Sequence, residues 1–516
     1  MMRQGSREAR AAVNVGGTYL TPQTPCPVRP GDADSALLRG EWLPWIDGRI
    51  SARAGRKLLP VLDPATDREL GIVHLADEED VDAAVGAATR AFESWSETPG
   101  RERARLLWAW AELIERHAYE LAALDVLENG MPARQALAYV HWAADTIRET
   151  SGWATKLTGL TSDQGPGLFA HTLRVPVGVV GTICPWNAPA AGFLRQITPA
   201  LTAGCTVVGK PSELTPFTAL RVAELAAEAG LPPGVLNVVP GVGSVAGEHL
   251  ANHHGIARIN FTGSTATGRR IVEASATNMK RMTLELGGKS PDIIFDDADL
   301  PAAVVGAAAG IFTNAGQVCV AGSRLFVQAG CYDEVVERLQ QEARRFTVGP
   351  GFEPASDIGP LISTSQRLRV QGHVDGAVED GATVVLGGRS ADADWNVNEN
   401  FYQPTIIADV TPDMRIAREE VFGPVVNVVR FGDEEEALAL ANGTEFGLAG
   451  GLWTQNLSRA HRFTRRVRAG MLWVNCYGAW ATSLPHSGQK QSGYGAKYGF
   501  QAVAEHTEER TVLMKL

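Results

Sequence analysis

Between Val175 and Phe261 the chain repeats one alternation: a short, near-continuous apolar run, then a segment with helical spacing of its apolar residues. The runs are Val175–Cys184, Cys205–Val208, Val235–Val239 and Ile256–Phe261. Runs of this kind predict strands covered on both faces, and their alternation with helices predicts a parallel, doubly wound sheet. Pro216–Ala229 is one intervening helix, closed by Gly230 with Pro232 and Pro233 beyond; another runs on to Ala276. The same rhythm returns further on. Asp292–Phe295, Arg324–Val327 and Thr383–Leu386 read as strands, and Leu300–Asn314, Asp333–Arg345 and Gln366–Asp380 as helices. Two α/β units are therefore expected.

Upstream, Trp42–Leu75 reads as a strand pair, with turns at Ile46-Asp-Gly48 and Asp63-Pro-Ala-Thr-Asp67. From Asp77 the period becomes helical. Glu78, Glu79 and Asp80 occupy the first turn, which favours negative charge, and Val81, Ala84, Val85, Ala88 and Phe92 share one face. Arg101–His117, Tyr119–Asn129 and Leu137–Leu157 predict three more helices, and Arg510–Leu516 a strand. Residues 1–40 show no such pattern. Arg3, Arg7 and Arg10 faintly suggest a transit peptide, against which Glu8 counts, and the stretch reads as a mobile extension.

Composition narrows the class without naming a function. A chain of 516 residues predicts two or three domains, and 45% hydrophobic with 20% charged residues is ordinary for a globular protein. A net charge of −11 argues against a general nucleic-acid binder. Six scattered cysteines, with no Cys-x-x-Cys pair and no His/Cys cluster, give no metal signal and favour a reducing, cytoplasmic compartment. No apolar run reaches the roughly 18 residues of a membrane span.

The chemistry concentrates between Met282 and Cys319. Met282-Thr-Leu-Glu285-Leu-Gly-Gly-Lys-Ser-Pro291 sets a carboxylate in glycine-punctuated sequence, and Asn314-Ala-Gly-Gln-Val-Cys319 does the same for a thiol. Gly287, Gly288 and Gly316 permit positive φ or close backbone approach. Thiolate is the best protein nucleophile near neutral pH, and a nearby carboxylate can serve as base. On residue type alone, Cys319 would be a buried small hydrophobe and Glu285 a salt-bridge partner for Lys289.

These two segments and their spacing resemble the signatures of the aldehyde dehydrogenase superfamily. Further matches follow in the family's order: Pro185-Trp-Asn187, Gly209-Lys-Pro-Ser-Glu213, Phe261-Thr-Gly-Ser-Thr-Ala-Thr-Gly268, Glu419-Glu-Val-Phe-Gly-Pro424 and Gly488-Gln-Lys-Gln-Ser-Gly493. The resemblance implies a doubly wound parallel-sheet cofactor domain over 41–155 and 175–286. It also implies a second α/β catalytic domain over 287–477 and a small β oligomerisation element, 156–174 with 478–516, pairing across a subunit interface. A homodimer or homotetramer is implied.

It further implies a nucleophile at Cys319, a general base at Glu285 and an oxyanion donor at Asn187. Relatives that pass the acyl group to coenzyme A generally lack the glutamate, so hydrolysis of the thioester is expected. NAD is the expected cofactor, with NADP possible. Its matching positions are Ile183, Pro185, Trp186, Lys210, Ser212, Glu213, Gly243, Phe261, Gly263, Ser264, Leu286, Glu420 and Phe422. A carboxylate at Glu213 would accept from a ribose hydroxyl and repel a 2′-phosphate. Gly241-Val-Gly243 is not a complete Gly-x-Gly-x-x-Gly fingerprint.

Departures from the family fall at the substrate end, where Trp142, Ala188, Ala191, Gly192, Arg195, Val318, Trp480 and His486 are the expected lining. Small residues at 188, 191 and 192 with two indoles predict a bulky or aromatic apolar aldehyde. Arg195 is the counter-argument, since semialdehyde relatives use an arginine there to hold a substrate carboxylate. The second arginine they carry is Thr313 here, so the clamp is half complete. His486 reads as a packing histidine or a proton relay. An idle structural member of the family is the reading of a different class.

Overall fold

The computed structural model describes residues 38–391 and 398–516, together with two short paired strands, Asn14–Val15 and Thr18–Tyr19. The expected extension over 1–40 lies almost wholly outside the described residues, as does Cys26.

Two large sheets carry the molecule. The first has eight strands in the order Gly493–Tyr494, Arg281–Glu285, Arg258–Thr262, Val179–Ile183, Thr206–Lys210, Leu236–Val238, Trp45–Ile46, Arg49–Ile50. Its five central strands are parallel and its edges antiparallel. Val179–Ile183, Thr206–Lys210 and Arg258–Thr262 are buried at every residue, as apolar runs covered on both faces should be. After Val179–Ile183 the chain first builds outward on one side, then returns to add strands on the other. The crevice at the carboxyl ends of these strands is where such sheets bind ligands.

The second sheet has seven strands, in the order Thr383–Leu386, Thr405–Ala408, Val425–Phe431, Arg324–Gln328, Pro291–Ile294, Ala449–Trp453, Met471–Val474, all parallel except the first. The doubly wound expectation holds for the first sheet, and the second sheet is the second α/β unit expected. Four of these strands, in the stretch 405–474, are absent from the sequence reading, as is the helix Pro189–Ala203.

Helices fall close to the expected limits. Asp77 and Asp80 form a capping box at the start of Glu78–Glu97, and Gly130 ends Ala118–Asn129 in the left-handed region. Two expectations need correction. Val175–Cys184 is not one strand: Gly178, at φ +126°, separates Leu168–Pro176 from Val179–Ile183, and the two belong to different sheets. The strand Thr507–Lys515 pairs with Leu168–Pro176 inside one chain, antiparallel over all nine residues, rather than across a subunit boundary. Thr161–Asp163 completes that three-stranded sheet.

Glu285 ends a strand of the first sheet and Pro291 begins one of the second. The Gly287-Gly288 segment is the bridge between them, and the site lies beside it. Among the described residues no helix is long and apolar enough to cross a membrane.

Candidate active site

The Cys319 loop begins where helix Leu300–Phe312 ends. Asn314, Ala315 and Gly316 are all left-handed, at φ 52°, 53° and 69°. A Cβ on Gly316 would stand 2.0 Å from the Gly423 carbonyl oxygen, so glycine is required there on two counts. Left-handed Asn and Ala cost of order 1 kcal/mol or more each, and local bonds must hold them. The Asn314 side-chain amide donates to the Asn187 carbonyl at 2.8 Å. Gln317, fully buried, donates to the Asn314 carbonyl and accepts from the Ile362 N–H at 2.9 Å. Asn187 Nδ2 in turn donates to the Gln317 carbonyl at 2.8 Å. Pro185-Trp-Asn187 and the cysteine loop are thus tied at both ends.

Cys319 emerges half-buried from this loop. Burial pushes its thiol up to about 11, against the pull of Arg195 and Lys497, with Glu285 adding to the rise. The thiol is protonated at rest. Gly287 and Gly288 are explained by crowding, not by positive φ. A Cβ on Gly288 would lie 2.5 Å from the Cys319 carbonyl oxygen, and one on Gly287 would lie 2.7 Å from Glu420 Oε2. The Gly288 N–H donates to Glu420 Oε1 at 3.1 Å.

Glu285, last residue of Arg281–Glu285, is almost wholly buried, and its Oε1 has no hydrogen-bond partner. Burial raises its pKa, opposed by Lys497 and Arg195. No Glu285–Lys289 ion pair forms among the described residues. Lys289 faces Arg324, Glu420 and Glu419 instead, and burial lowers it to about 7.

These groups line one cavity of about 350 Å³. Asn187, Glu285 and Cys319 meet in it. At one end stand Trp142, Ala188, Arg195, Val318 and Trp480, joined by Tyr139 and Tyr477, which sequence reasoning missed. The indoles of Trp142 and Trp480 lie 5.6 Å apart, and both contact the ring of Tyr498, at 5.7 and 6.1 Å. Arg195 lies over Tyr498, reaches its hydroxyl at 3.4 Å, and has no carboxylate partner among the described residues. Three expected lining residues stand elsewhere. Ala191 and Gly192 are buried along helix Pro189–Ala203, Ala191 in the core that also holds Trp142 and Phe193. His486 is buried against Trp480 with neither ring nitrogen bonded, and burial holds it at about 3, so it is a neutral packing residue.

At the other end the cavity reaches Pro185, Trp186, Gly263, Ser264, Leu286, Glu420 and Phe422. Trp186 and Phe422 meet edge to face at 5.3 Å. The remaining expected cofactor positions lie outside this cavity but along the same sheet edge. Ile183 is in register with Lys210 on one side and Phe261 on the other. Lys210 is buried, donating to the Pro211 and Gly241 carbonyls, with Glu213 3.6 Å away and partly exposed. Ser212 is buried, its hydroxyl accepting from the Leu214 N–H. Gly243 has open space where a Cβ would be. A carboxylate at the rim, an open glycine, and Gly263-Ser264 leading into helix Thr265–Ser275 suit a dinucleotide. A separate Asp82–His249–His253 cluster is closed on itself. The Gly255 N–H donates to His253 Nδ1, which leaves the ring proton on Nε2, facing Asp82.

The chain matches the aldehyde dehydrogenase family over residues 50–512. Aldehyde dehydrogenase 1 of Tanacetum cinerariifolium is 42% identical over 474 residues, 91% of this chain and 94% of that one. The protein named aldehyde dehydrogenase, cytosolic 1 of Elephantulus edwardii is 41% identical, over 93% and 94%. Among solved structures, PnpE of Pseudomonas sp. WBC-3 is similar with TM-score 0.90 and 44% identity, over 92% and 98% of the chains. An NAD complex of an aldehyde dehydrogenase of Bacillus cereus is similar with TM-score 0.90 and 43% identity, over 93% and 98%.

Proposed function

We infer the roles of the site residues and the substrate class from one premise: this chain belongs to the aldehyde dehydrogenase family. It oxidises aldehydes and uses NAD. NAD, when bound, supplies the hydride acceptor. The chain's own groups do the rest. The Cys319 thiol gives up its proton to solvent, Arg195 and Lys497 stabilising the thiolate that remains, and this adds to the aldehyde carbon. The carbonyl oxygen takes up negative charge and accepts from the Asn187 amide and the Cys319 backbone N–H. Loss of hydride from this adduct leaves a thioester on the sulfur. Glu285 removes a proton from water, the water attacks the thioester, and the carboxylic acid departs with the thiol restored. Trp186, Glu420 and Phe422 would hold the nicotinamide end, and Lys210 and Glu213 the ribose of the adenosine.

The aldehyde is bulky and apolar, an arylaldehyde or arylacetaldehyde. The carrying observation is the wall of Trp142 and Trp480 beside Cys319, backed by Tyr498 and extended by Tyr139. Facing rings at these distances accept a flat apolar group in offset or edge-on contact. Arg195, with no acidic partner, favours a second reading, an aldehyde carrying a carboxylate at its far end. Comparison of kcat/KM for benzaldehyde, phenylacetaldehyde and succinic semialdehyde decides between them. The aromatic pair should lead by tenfold or more. A lead for the semialdehyde that collapses in Arg195→Leu would establish the second reading.

The assembly is a homodimer or homotetramer built on the three-stranded sheet. Phe169 and Met514 stand opposite each other in its ladder, Leu173 shares their face, and all three are exposed. Light scattering on the purified protein should give a multiple of 55.1 kDa. With a relative named as cytosolic, the cytoplasm is the expected compartment.

A further inference from the structure

Two strands flank the one that ends in Glu285. On one side Gly493 pairs antiparallel with Glu285; on the other Thr262 pairs parallel with it. Lys497, four residues beyond Gly493, donates from Nζ to the Thr262 hydroxyl. Its side chain therefore crosses the strand end that carries the carboxylate. Residues paired in register project to the same face of a sheet, about 4.8 Å apart from strand to strand. The Thr262 hydroxyl, the Lys497 ammonium and the Glu285 carboxyl thus share one face.

The crossing is firmly built. Lys497 exchanges both backbone hydrogen bonds with His486. Tyr498, next in line, is left-handed at φ 70°, a conformation rare for a bulky residue and held only where surroundings impose it. Glu505 anchors the segment from behind, accepting from Ala496 N–H at 3.0 Å and from Arg258 at 2.6 Å. Lys497 is only 4% exposed, and no carboxylate lies within ion-pair distance of it among the described residues. Glu285 Oε1 is likewise unbonded. The carboxyl takes a backbone hydrogen bond from Gly488 and the ammonium gives one to Thr262, but no ion pair joins the two buried charges.

We propose that Lys497 is a positioning residue for Glu285: its ammonium, fixed by Thr262, keeps the buried carboxyl ionised and aimed for deprotonating water. The proposal rests on Glu285 being the general base. Burial raises Glu285 and lowers Lys497, each charge pulls the other back toward its charged form, and the balance leaves Lys497 at about 7. Arg195 on helix Pro189–Ala203 assists Glu285 and opposes Lys497. Cys319, Cys184, Tyr498 and the more distant Glu505 are the other titratable groups around them, and the adjacent His486 stays neutral.

The test is the pH profile of thioester hydrolysis, read beside the pre-steady-state NADH burst that reports hydride transfer. Lys497→Met should move the acid limb to higher pH by about 1 or more, slowing hydrolysis about tenfold on that limb, while the burst, which Arg195 still supports, falls less and NAD affinity holds. Lys497→Arg, charged at every pH, should restore the limb. In a Glu285→Gln background Lys497→Met should add nothing. An unmoved limb, or losses that multiply across the double variant, would overturn the proposal while leaving Glu285 as base. If Glu285→Gln itself leaves hydrolysis unchanged, the base assignment falls and this proposal with it. Should Lys497→Met not fold, Lys497→Gln carries the same expectation.

Discussion

The Asn187 side chain gives one of its two amide hydrogens to the Gln317 carbonyl at 2.8 Å, two residues before the Cys319 thiol. The bond fixes the amide and leaves its second hydrogen for an oxygen held at the sulfur. Asn187→Ala should therefore lower kcat by about 10² to 10³, the usual cost of one lost oxyanion donor. KM for the aldehyde should change much less, and steady-state kinetics separate the two.

Cys319→Ala should abolish aldehyde oxidation to background while NAD binding, followed by tryptophan quenching, persists. Glu285→Gln should slow steady-state turnover by about 10² to 10⁴. Its first turnover of NADH should survive as a burst, because the base acts after hydride has left. A Glu285→Gln enzyme with full turnover and no burst would remove the assignment.

Gly288→Ala tests the crowding at the bridge. The new methyl would meet the Cys319 carbonyl oxygen at 2.5 Å and displace the Cys319 loop. Activity should fall by more than 10², since about 1 Å of misplacement at a reacting group costs that much. Gly372, with nothing within 4 Å of its Cβ position, is the control: Gly372→Ala should leave activity and Tm close to wild type.

Asp292 offers a pH dependence with a definite sign. It is buried, takes a hydrogen bond from Trp453 Nε1 at 2.8 Å, and burial raises it from 3.8 to about 7. A carboxyl whose folded pKa lies above its unfolded value favours the fold fully below about pH 4, and that contribution is lost as pH rises through 7. Asp292→Asn keeps an acceptor for Trp453 without ionising. Relative to wild type, its Tm should rise at pH 8 and differ little at pH 4, as thermal denaturation at the two pH values will report.

Much of this was legible before any coordinates. Glu285 and Cys319 stand in glycine-marked segments and Asn187 between two prolines, backbone demands that leave a trace in sequence, and the three do meet in one cavity. Ala188, Ala191, Gly192 and Arg195 share one helical face by spacing, yet only the first and last reach the cavity. The same spacing serves a buried helix packed against Trp142, and one-dimensional pattern does not tell the two apart. The strands between 405 and 474 lie in more mixed sequence, where charged turns and short runs blur the period. Lys497 left no signal at all. A lysine between alanine and tyrosine reads as a surface charge, and only the pairing of Glu285 with Gly493 on one side and Thr262 on the other carries it inward.

The ladder between Leu168–Pro176 and Thr507–Lys515 joins stretches more than 300 residues apart. At about 5 to 20 residues per second, the ribosome makes the earlier strand some 15 to 65 s before its partner exists. For that interval Leu168, Phe169 and Leu173 flank a bare edge, the kind that invites pairing with a neighbouring nascent chain. Lys497 and Glu505, which reach back to Thr262 and Arg258, come from the same late stretch of chain, so the surroundings of Glu285 are among the last parts completed. A newborn chain arrested before residue 490 should therefore be a substrate for chaperones well before it is an enzyme.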